Sequence, residues 1–365
     1  MADLTALEKF SCPACGAQAE WNVRKQLLVC PFCGTQSPAE LASDTGLVQE
    51  LDLATALRDI PDQDRGWKIE RRTVQCRSCK AVTVFSPEEV AQRCDFCGSP
   101  ELIAYEELRS PIRPGSVLPF SIDREKVQAI VRRWLGSRWF APNNLRKHGL
   151  IDLVHGLYIP YWTFDSQVDC PWTAQSGRYY YVSESYTDSQ GRRQTRRVRK
   201  IRWSPSSGAI QHTFDDVLVP GSRGIELPIL RAIEPFPTKD LVPYDPGYVS
   251  GWHVEHYQVV LFDAARLARE QKMATLRALC AREVPGDTHR NLQIAPIFTA
   301  ETFKHILVPV WLIAYDYGRK RNQIVINGVT GSISGRYPKS AWKIFFLVLA
   351  IVAVLLVIFL VGASR

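Results

Sequence analysis

Eight of the ten cysteines fall into four Cys-x-x-Cys pairs: Cys12/Cys15, Cys30/Cys33, Cys76/Cys79 and Cys94/Cys97. In each half of this set, 14 residues separate the first pair from the second, so the spacing repeats. A Cys-x-x-Cys knuckle turns tightly enough to aim both sulfurs at one ion. Two knuckles on adjacent hairpins then complete a tetrahedron of thiolates about 2.3 Å from zinc, with no vacant position. Gly16, Gly34 and Gly98 follow the second cysteine of three knuckles, where a residue tolerant of positive φ is needed, and Lys80 takes that place in the other. Redox-active dithiols are the competing chemistry. Those place one Cys-x-x-Cys at a helix start after a strand, whereas here the pairs recur at fixed spacing. The spacing predicts two structural zinc ions, one on Cys12, Cys15, Cys30 and Cys33, the other on Cys76, Cys79, Cys94 and Cys97. Each ribbon is too short to bury a core, so metal supplies its folding energy, roughly 10–16 kcal/mol per site. A closed site of this kind does no catalysis.

A second concentration of chemistry is basic. Arg192, Arg193, Arg196, Arg197, Arg199, Lys200 and Arg202 put seven cations within eleven positions. They follow Tyr179-Tyr180-Tyr181-Val182 and a turn at 188–191, so they fall on the return strand of a long hairpin. One reading is a solvated arm partly balanced by Glu184 and Asp188. The others are contact with anionic lipid or with nucleic acid. Elsewhere the residues offer little. There is no phosphate loop, no dinucleotide fingerprint, no His-Glu-x-x-His and no Gly-x-Ser-x-Gly. His253-Val254-Glu255-His256 reads as a strand, with His253 and Glu255 on one face, rather than as a metal site. Cys170 and Cys280 read as small buried hydrophobes. Asp165 and Asp169 form a carboxylate pair that no substrate-flanking acid or base accompanies. The chain is therefore expected not to be an enzyme.

The elements that position these groups follow from pattern. Residues 1–40 and 71–105 are expected to be small β zinc ribbons, joined by a helical linker over 41–70 that Pro61 closes. Residues 106–222 and 223–338 are expected to form two related α+β lobes. The internal likeness of Tyr158-Ile159-Pro160-Tyr161-Trp162 to Leu307-Val308-Pro309-Val310-Trp311 suggests this division. A helix is expected over 123–134 and another over 264–283 capped by Asp263. A hairpin is expected from Trp311 to residue 326, with Asn327-Gly328 turning into 332–335. Residues 344–361 carry no charged or polar side chain, which predicts a transmembrane anchor within 341–363. Arg336, Lys339 and Lys343 precede that run and Arg365 alone follows it. The positive-inside rule then keeps the N-terminal bulk cytoplasmic and the C-terminus on the far side of a cell membrane. The expected fold class is α+β: two zinc ribbons, a two-lobe antiparallel-sheet-plus-helix region, and one transmembrane helix in a single-pass, tail-anchored arrangement.

Across 365 residues, 46% hydrophobic and 22% charged residues make an ordinary globular balance, and a net charge of +8 favours anionic partners. The N-terminal residues lack a secretory pattern. The doubled ribbons combine with Trp139-Phe140-Ala141-Pro142-Asn143, the segment from Tyr158 to Asp165, Leu241-Val242-Pro243-Tyr244 and the segment from Thr302 to Trp311. In this combination the chain resembles a bacterial family of zinc-ribbon, C-terminally membrane-anchored proteins. Relatives often carry the label primosomal replication factor Y or superfamily II helicase, but without a phosphate loop this chain has no helicase motor. Some relatives are similar to membrane components encoded beside phage-shock protein A and flotillin-like proteins. That resemblance implies an adaptor role in a membrane-stress assembly, with the lipid bilayer and a protein of one of those two kinds as partners. The alternative is a nucleic-acid-binding protein that uses the ribbons and the basic hairpin.

Overall fold

Residues 157–164 are buried one after another with no alternation, which is what a strand covered on both faces requires. The computed structural model describes residues 10–36, 48–58, 72–79, 81–85, 94, 96, 99–104, 112–142, 153–187, 189, 193–317 and 320–363. In chain order, the first ribbon is the hairpin β1 (Glu20–Asn22) and β2 (Leu27–Val29), and β3 (Leu51–Asp52) runs into the short helix α1 (Leu53–Arg58). The second ribbon is β4 (Arg72–Cys76), β5 (Val82–Phe85) and β6 (Leu102–Ala104), with β4 in the middle. Next come β7 (Ser116–Val117), α2 (Arg124–Gly136), and the two long strands β8 (Val154–Thr187) and β9 (Arg193–Pro220). Then follow α3 (Leu227–Ile233), β10 (Val242–Pro243), β11 (His253–Val254), α4 (Leu261–Glu283) and β12 (Thr288–Ile294). The chain ends with β13 (Ile297–Tyr317), β14 (Lys320–Asn327), β15 (Ile333–Gly335) and α5 (Ala341–Ala363).

The protein is mostly β, and the expected two α+β lobes are not what forms. Strands from both halves share one ten-stranded sheet, because β8 and β13 pair antiparallel from Val154↔Ile313 to Asp169↔Ile297. The two similar segments are thus each other's partners, with Pro160 opposite Leu307 and Pro309 opposite Tyr158. Each proline also sits where its strand changes its other neighbour. β9 ends at Tyr161 and β11 begins at Tyr158, while β14 ends at Val310 and β7 begins at Leu307. Proline has no N–H to give, so the gap between two neighbouring strands is where a central strand tolerates it.

Side chains alternate between two cores. Tyr158, Leu307, Trp311 and Ile313 face one, which α2 closes with Val127, Val131, Trp134 and Leu135. Leu157, Ile159, Tyr161, Ile306, Val308 and Val310 face the other, closed by Ile229, Leu230 and Ile233 of α3 and by residues of the second ribbon. The helix expected over 123–134 forms as α2, with Asp123 just outside it as the N-cap, its carboxylate accepting from the Lys126 N–H at 2.9 Å. Asp263 does not cap α4, which begins at Leu261 after Val260, so its carboxylate meets the positive end of the helix from inside the first turn. Within 41–70, the described residues give β3 and α1.

The transmembrane anchor expected at 341–363 is also overturned. Helix α5 leaves Phe345, Phe346, Leu349 and Leu355 exposed. Among the described residues, however, no helix is long and apolar enough to cross a membrane. The single-pass, tail-anchored topology and the cell-membrane placement with a cytoplasmic bulk fall with it.

Asn327 holds the last hairpin to α3. Its side-chain oxygen accepts from the Val329 and Thr330 N–H groups at 2.9 and 3.0 Å, and its amide donates to the Ile233 carbonyl at 3.0 Å. Asn327→Ala leaves the buried Ile233 carbonyl and two part-buried N–H groups without these bonds and is expected to cost about 1–3 kcal/mol, read as a lower denaturant midpoint. A change below about 0.5 kcal/mol would contradict this account.

Candidate metal centre

In the first ribbon the Cys12 and Cys33 sulfurs lie 3.5 Å apart, as do those of Cys15 and Cys30. All four fall within 4.8 Å of one another. A tetrahedron with metal–sulfur bonds of about 2.3 Å has edges of roughly 3.8 Å, so the thiols are gathered on the scale of one zinc ion. The backbone explains how. Each knuckle closes with the first cysteine's N–H donating five residues on: Cys12 to Ala17, Cys30 to Thr35, Cys76 to Ala81 and Cys94 to Ser99, at 2.6–2.9 Å. Gly16 and Gly34 adopt φ of +73° and +74°, with no atom within 4 Å of where a Cβ would stand, so the backbone angle alone selects glycine. Cys33 is pulled down to about 6 by the Thr35 hydroxyl and N–H. Cys15 is pushed up to about 12: its bond to the Ala17 backbone lowers it, but the Cys30 and Cys33 sulfurs outweigh that. Thiols crowded this closely ionise together only around a cation. In the second ribbon Cys76, Cys79 and Cys94 also group within 4.8 Å, with the Cys79 and Cys94 sulfurs at 3.6 Å. Cys97 and Lys80 lie outside the described residues. The cysteine groups can therefore hold metal ions, in the manner of zinc ribbons.

The two ribbons are seated differently. The first rests on the body through Trp21, which packs on Tyr248 at 4.6 Å, and through the Trp21 N–H on the Ser250 carbonyl at 3.0 Å. Arg24 adds an ion pair with Asp123 at 2.7 Å. Its knuckle points away from the body and leaves Phe32 82% exposed. Phe96 holds the corresponding place in the second ribbon and is 0% exposed. It lies against Ala81 and Gly224, where a Cβ on the glycine would come within 2.7 Å of the ring, and its carbonyl accepts from Gln323 at 2.6 Å. Cys76 and Cys94 belong to the same core as α3 and the central strands.

One polar centre escapes the sequence reading. Asp165, Asp215 and Asp216 cluster as a cation site would, but the ammonium of Lys304 already occupies the position of the cation. It lies 2.7 Å from Asp216, 3.1 Å from Glu50 and 3.5 Å from Asp165. Burial alone would lower Lys304, yet those three carboxylates hold it above the usual lysine value. Burial raises Asp165. Both ladders of β8 are bulged at this point, between Phe164 and Ser166 towards β9 and between Thr299 and Thr302 on β13. Asp216 sits in the bulge at φ +51°. From α4, Lys272 reaches the same bulge and donates to Ser166 at 2.9 Å, and burial lowers it to about 8. The available signal was a lysine inside an otherwise apolar strand, Phe303-Lys304-His305-Ile306. Asp169, read as the partner of Asp165, instead faces solvent farther along β8.

The other singled-out residues resolve as follows. His253 and Val254 form β11, beside which Glu255 and His256 are buried. Cys170 and Cys280 are buried with their sulfurs 3.7 Å apart, where α4 crosses β8. Arg193, Arg196, Arg197, Arg199, Lys200 and Arg202 all lie on β9, and Arg192 lies outside the described residues.

Two predictions follow from the buried charges. Lys304→Ala leaves carboxylates buried without their counter-ion and is expected to destabilise by about 3–5 kcal/mol. Denaturant unfolding would read this, and an unchanged midpoint would refute the role given to the lysine. Burial pushes Glu255 up to about 8, while hydrogen bonds from Ser222 and Gln258 pull the other way. Its folded value is raised, so its contribution is full below about pH 4.3, the unfolded value, and is lost as pH rises through about 8. Glu255→Gln should therefore equal the wild type near pH 5 and exceed it by at least about 1 kcal/mol near pH 8.5. Parallel pH profiles would exclude this.

No family model matches the chain, and no solved structure matches it. A Bacillus subtilis (strain 168) protein, YdjG, described as uncharacterized, is 24% identical to it over 244 residues, which is 66% of this chain and 69% of that protein. The chain is thus similar over most of its length to YdjG, and the cysteine groups make it zinc-ribbon-like.

Proposed function

We propose that this protein is a non-enzymatic zinc-dependent scaffold in which the second ribbon fastens the body and the first presents a contact for a protein partner. The observation that carries this is the unequal treatment of two corresponding phenylalanines, Phe96 fully buried and Phe32 82% exposed. An exposed aromatic side chain on a rigid, metal-closed turn loses little freedom when it enters a partner's pocket, which is how binding anchors work. Four thiolates in each ribbon would hold zinc with no open coordination position, so the metal stiffens the turn without reacting. By resemblance, the partner is a phage-shock protein A-like or flotillin-like protein.

The purified full chain is expected to carry two zinc ions by elemental analysis. Phe32→Ala is expected to keep both ions and the unfolding midpoint while weakening binding to a purified phage-shock protein A-like or flotillin-like partner at least tenfold. Fewer than one zinc per chain, or equal binding of both purified partners by the variant, would overturn the proposal.

A further inference from the structure

We infer that one face of the outer β8–β9 hairpin, where Arg193, Arg197 and Arg199 interleave with Tyr179, Tyr181 and Trp203, is a track for single-stranded nucleic acid. The inference is independent of the zinc sites and of the role given to Phe32.

The hairpin outlasts the sheet. β12 pairs with β8 only as far as Gly177, and the β8–β9 ladder continues to Thr187↔Arg193. At about 3.4 Å per residue that leaves an arm of roughly 34 Å with no third strand among the described residues. Isolated two-stranded ribbons are marginal in water, so the side chains must both stabilise this one and give it a use.

Register sorts its residues onto two faces, because partners opposite one another share a face. On one face Tyr179, Tyr181, Ser183, Ser185 and Thr187 of β8 meet Ile201, Arg199, Arg197, Thr195 and Arg193 of β9. Here Arg199 lies over the Tyr179 ring at 4.3 Å and Arg197 over Tyr181 at 5.3 Å. At the base of the same face, Arg290 of β12 lies over Trp203 at 4.1 Å. Among the described residues, the carboxylate beside them is that of Asp287 at the base, which accepts from the Tyr179 N–H at 2.7 Å.

The opposite face differs. It too sets arginines over rings, Arg202 over Tyr180 at 5.5 Å and Arg196 over Tyr186 at 5.4 Å, but a carboxylate lies within it: Glu184 pairs with Lys200 at 2.8 Å and Arg196 at 3.7 Å, beside Arg178 and a Val182–Val198 pair. The faces also have different fates lower down. Val168, Cys170, Trp172 and Ala174 continue the face of Glu184 onto α4, while Gln167, Asp169 and Thr173 continue the open face towards solvent.

The chemistry of the open face is cationic and aromatic in alternation along a line. Guanidinium groups take phosphates and exposed rings stack with unpaired bases, the two contacts that sequence-tolerant single-strand binding uses. A lipid surface would call for apolar side chains at the tip. The described residues of this face towards its outer end are Ser183, Ser185, Thr187 and Thr195, so the nucleic acid is the better fit.

The test uses the full chain and fluorescein-labelled 20-nucleotide poly-dT and poly-rU, followed by fluorescence anisotropy. Three to four arginines on phosphates give a slope of log affinity against log salt of roughly −2 to −3, which is about 20–50-fold weaker binding at 200 mM than at 50 mM salt. Removing two charges from the open face with Arg197→Gln and Arg199→Gln is expected to weaken binding at least tenfold and flatten the slope by about 1.4. Removing two from the other face with Arg196→Gln and Lys200→Gln should change affinity less than about threefold. Tyr181→Ala should weaken binding about tenfold with the salt slope unchanged, which a folding defect in the charge variants cannot mimic. Equal losses from the two faces would overturn the inference. So would preference for duplex DNA or phosphatidylserine vesicles over the single strands, or no salt-dependent binding at 50 mM salt.

Discussion

The antiparallel contact between β8 and β13 is the constraint on which everything else rests. Its central residues are buried on both faces, so every other element can be described by the face it covers. Helix α2 and the aromatic group of Phe120, Trp252 and Trp311 close one side, and α3 with the second ribbon closes the other. Strands paired this deeply have no exposed polar edge along the contact. The burial of Trp162, Tyr158 and Phe164 together supplies several kcal/mol of the driving force for collapse.

This arrangement ties metal to fold in unequal ways. The thiols of Cys76 and Cys94 line the same core as Leu230 and Ile306, so whatever orders that ribbon also orders the sheet beneath it. The first ribbon attaches through Trp21 on Tyr248, a main-chain bond to Ser250, side-chain bonds that join Ser250 to Ala19 and Gln26 to Phe120, and the surface ion pairs of Arg24, and its cluster of Ala19, Trp21 and Leu28 is small. Opening of the first ribbon is therefore cheaper than opening of the second, as expected for a unit with fewer buried contacts.

Much of this was readable from residue type and spacing, because local geometry dictates it. The cysteine knuckles, the helix that follows Asp123 and the hairpin at Asn327 depend on residues a few positions apart. What depended on distant pairing was not readable. The likeness of the segments around Pro160 and Pro309 suggested two lobes, whereas the same likeness arises when two strands with matching proline gaps pair with one another. Lys304 finds Asp165 across 139 positions and Glu50 across 254, separations that no local pattern encodes. The apolar C-terminal run was read as a membrane span from its composition, whereas among the described residues no helix is long and apolar enough to cross a membrane.

The ammonium lodged among Asp165, Asp216 and Glu50 has a consequence for how the protein meets its ionic surroundings. A carboxylate nest of that shape would otherwise compete for calcium or magnesium, and its occupancy would follow their concentration. A tethered cation has an effective concentration that no change in the medium alters. This nest is in that sense blind to hard metal ions, and among the described residues the other groups that gather metal-ligating atoms are the soft sulfurs of the ribbons.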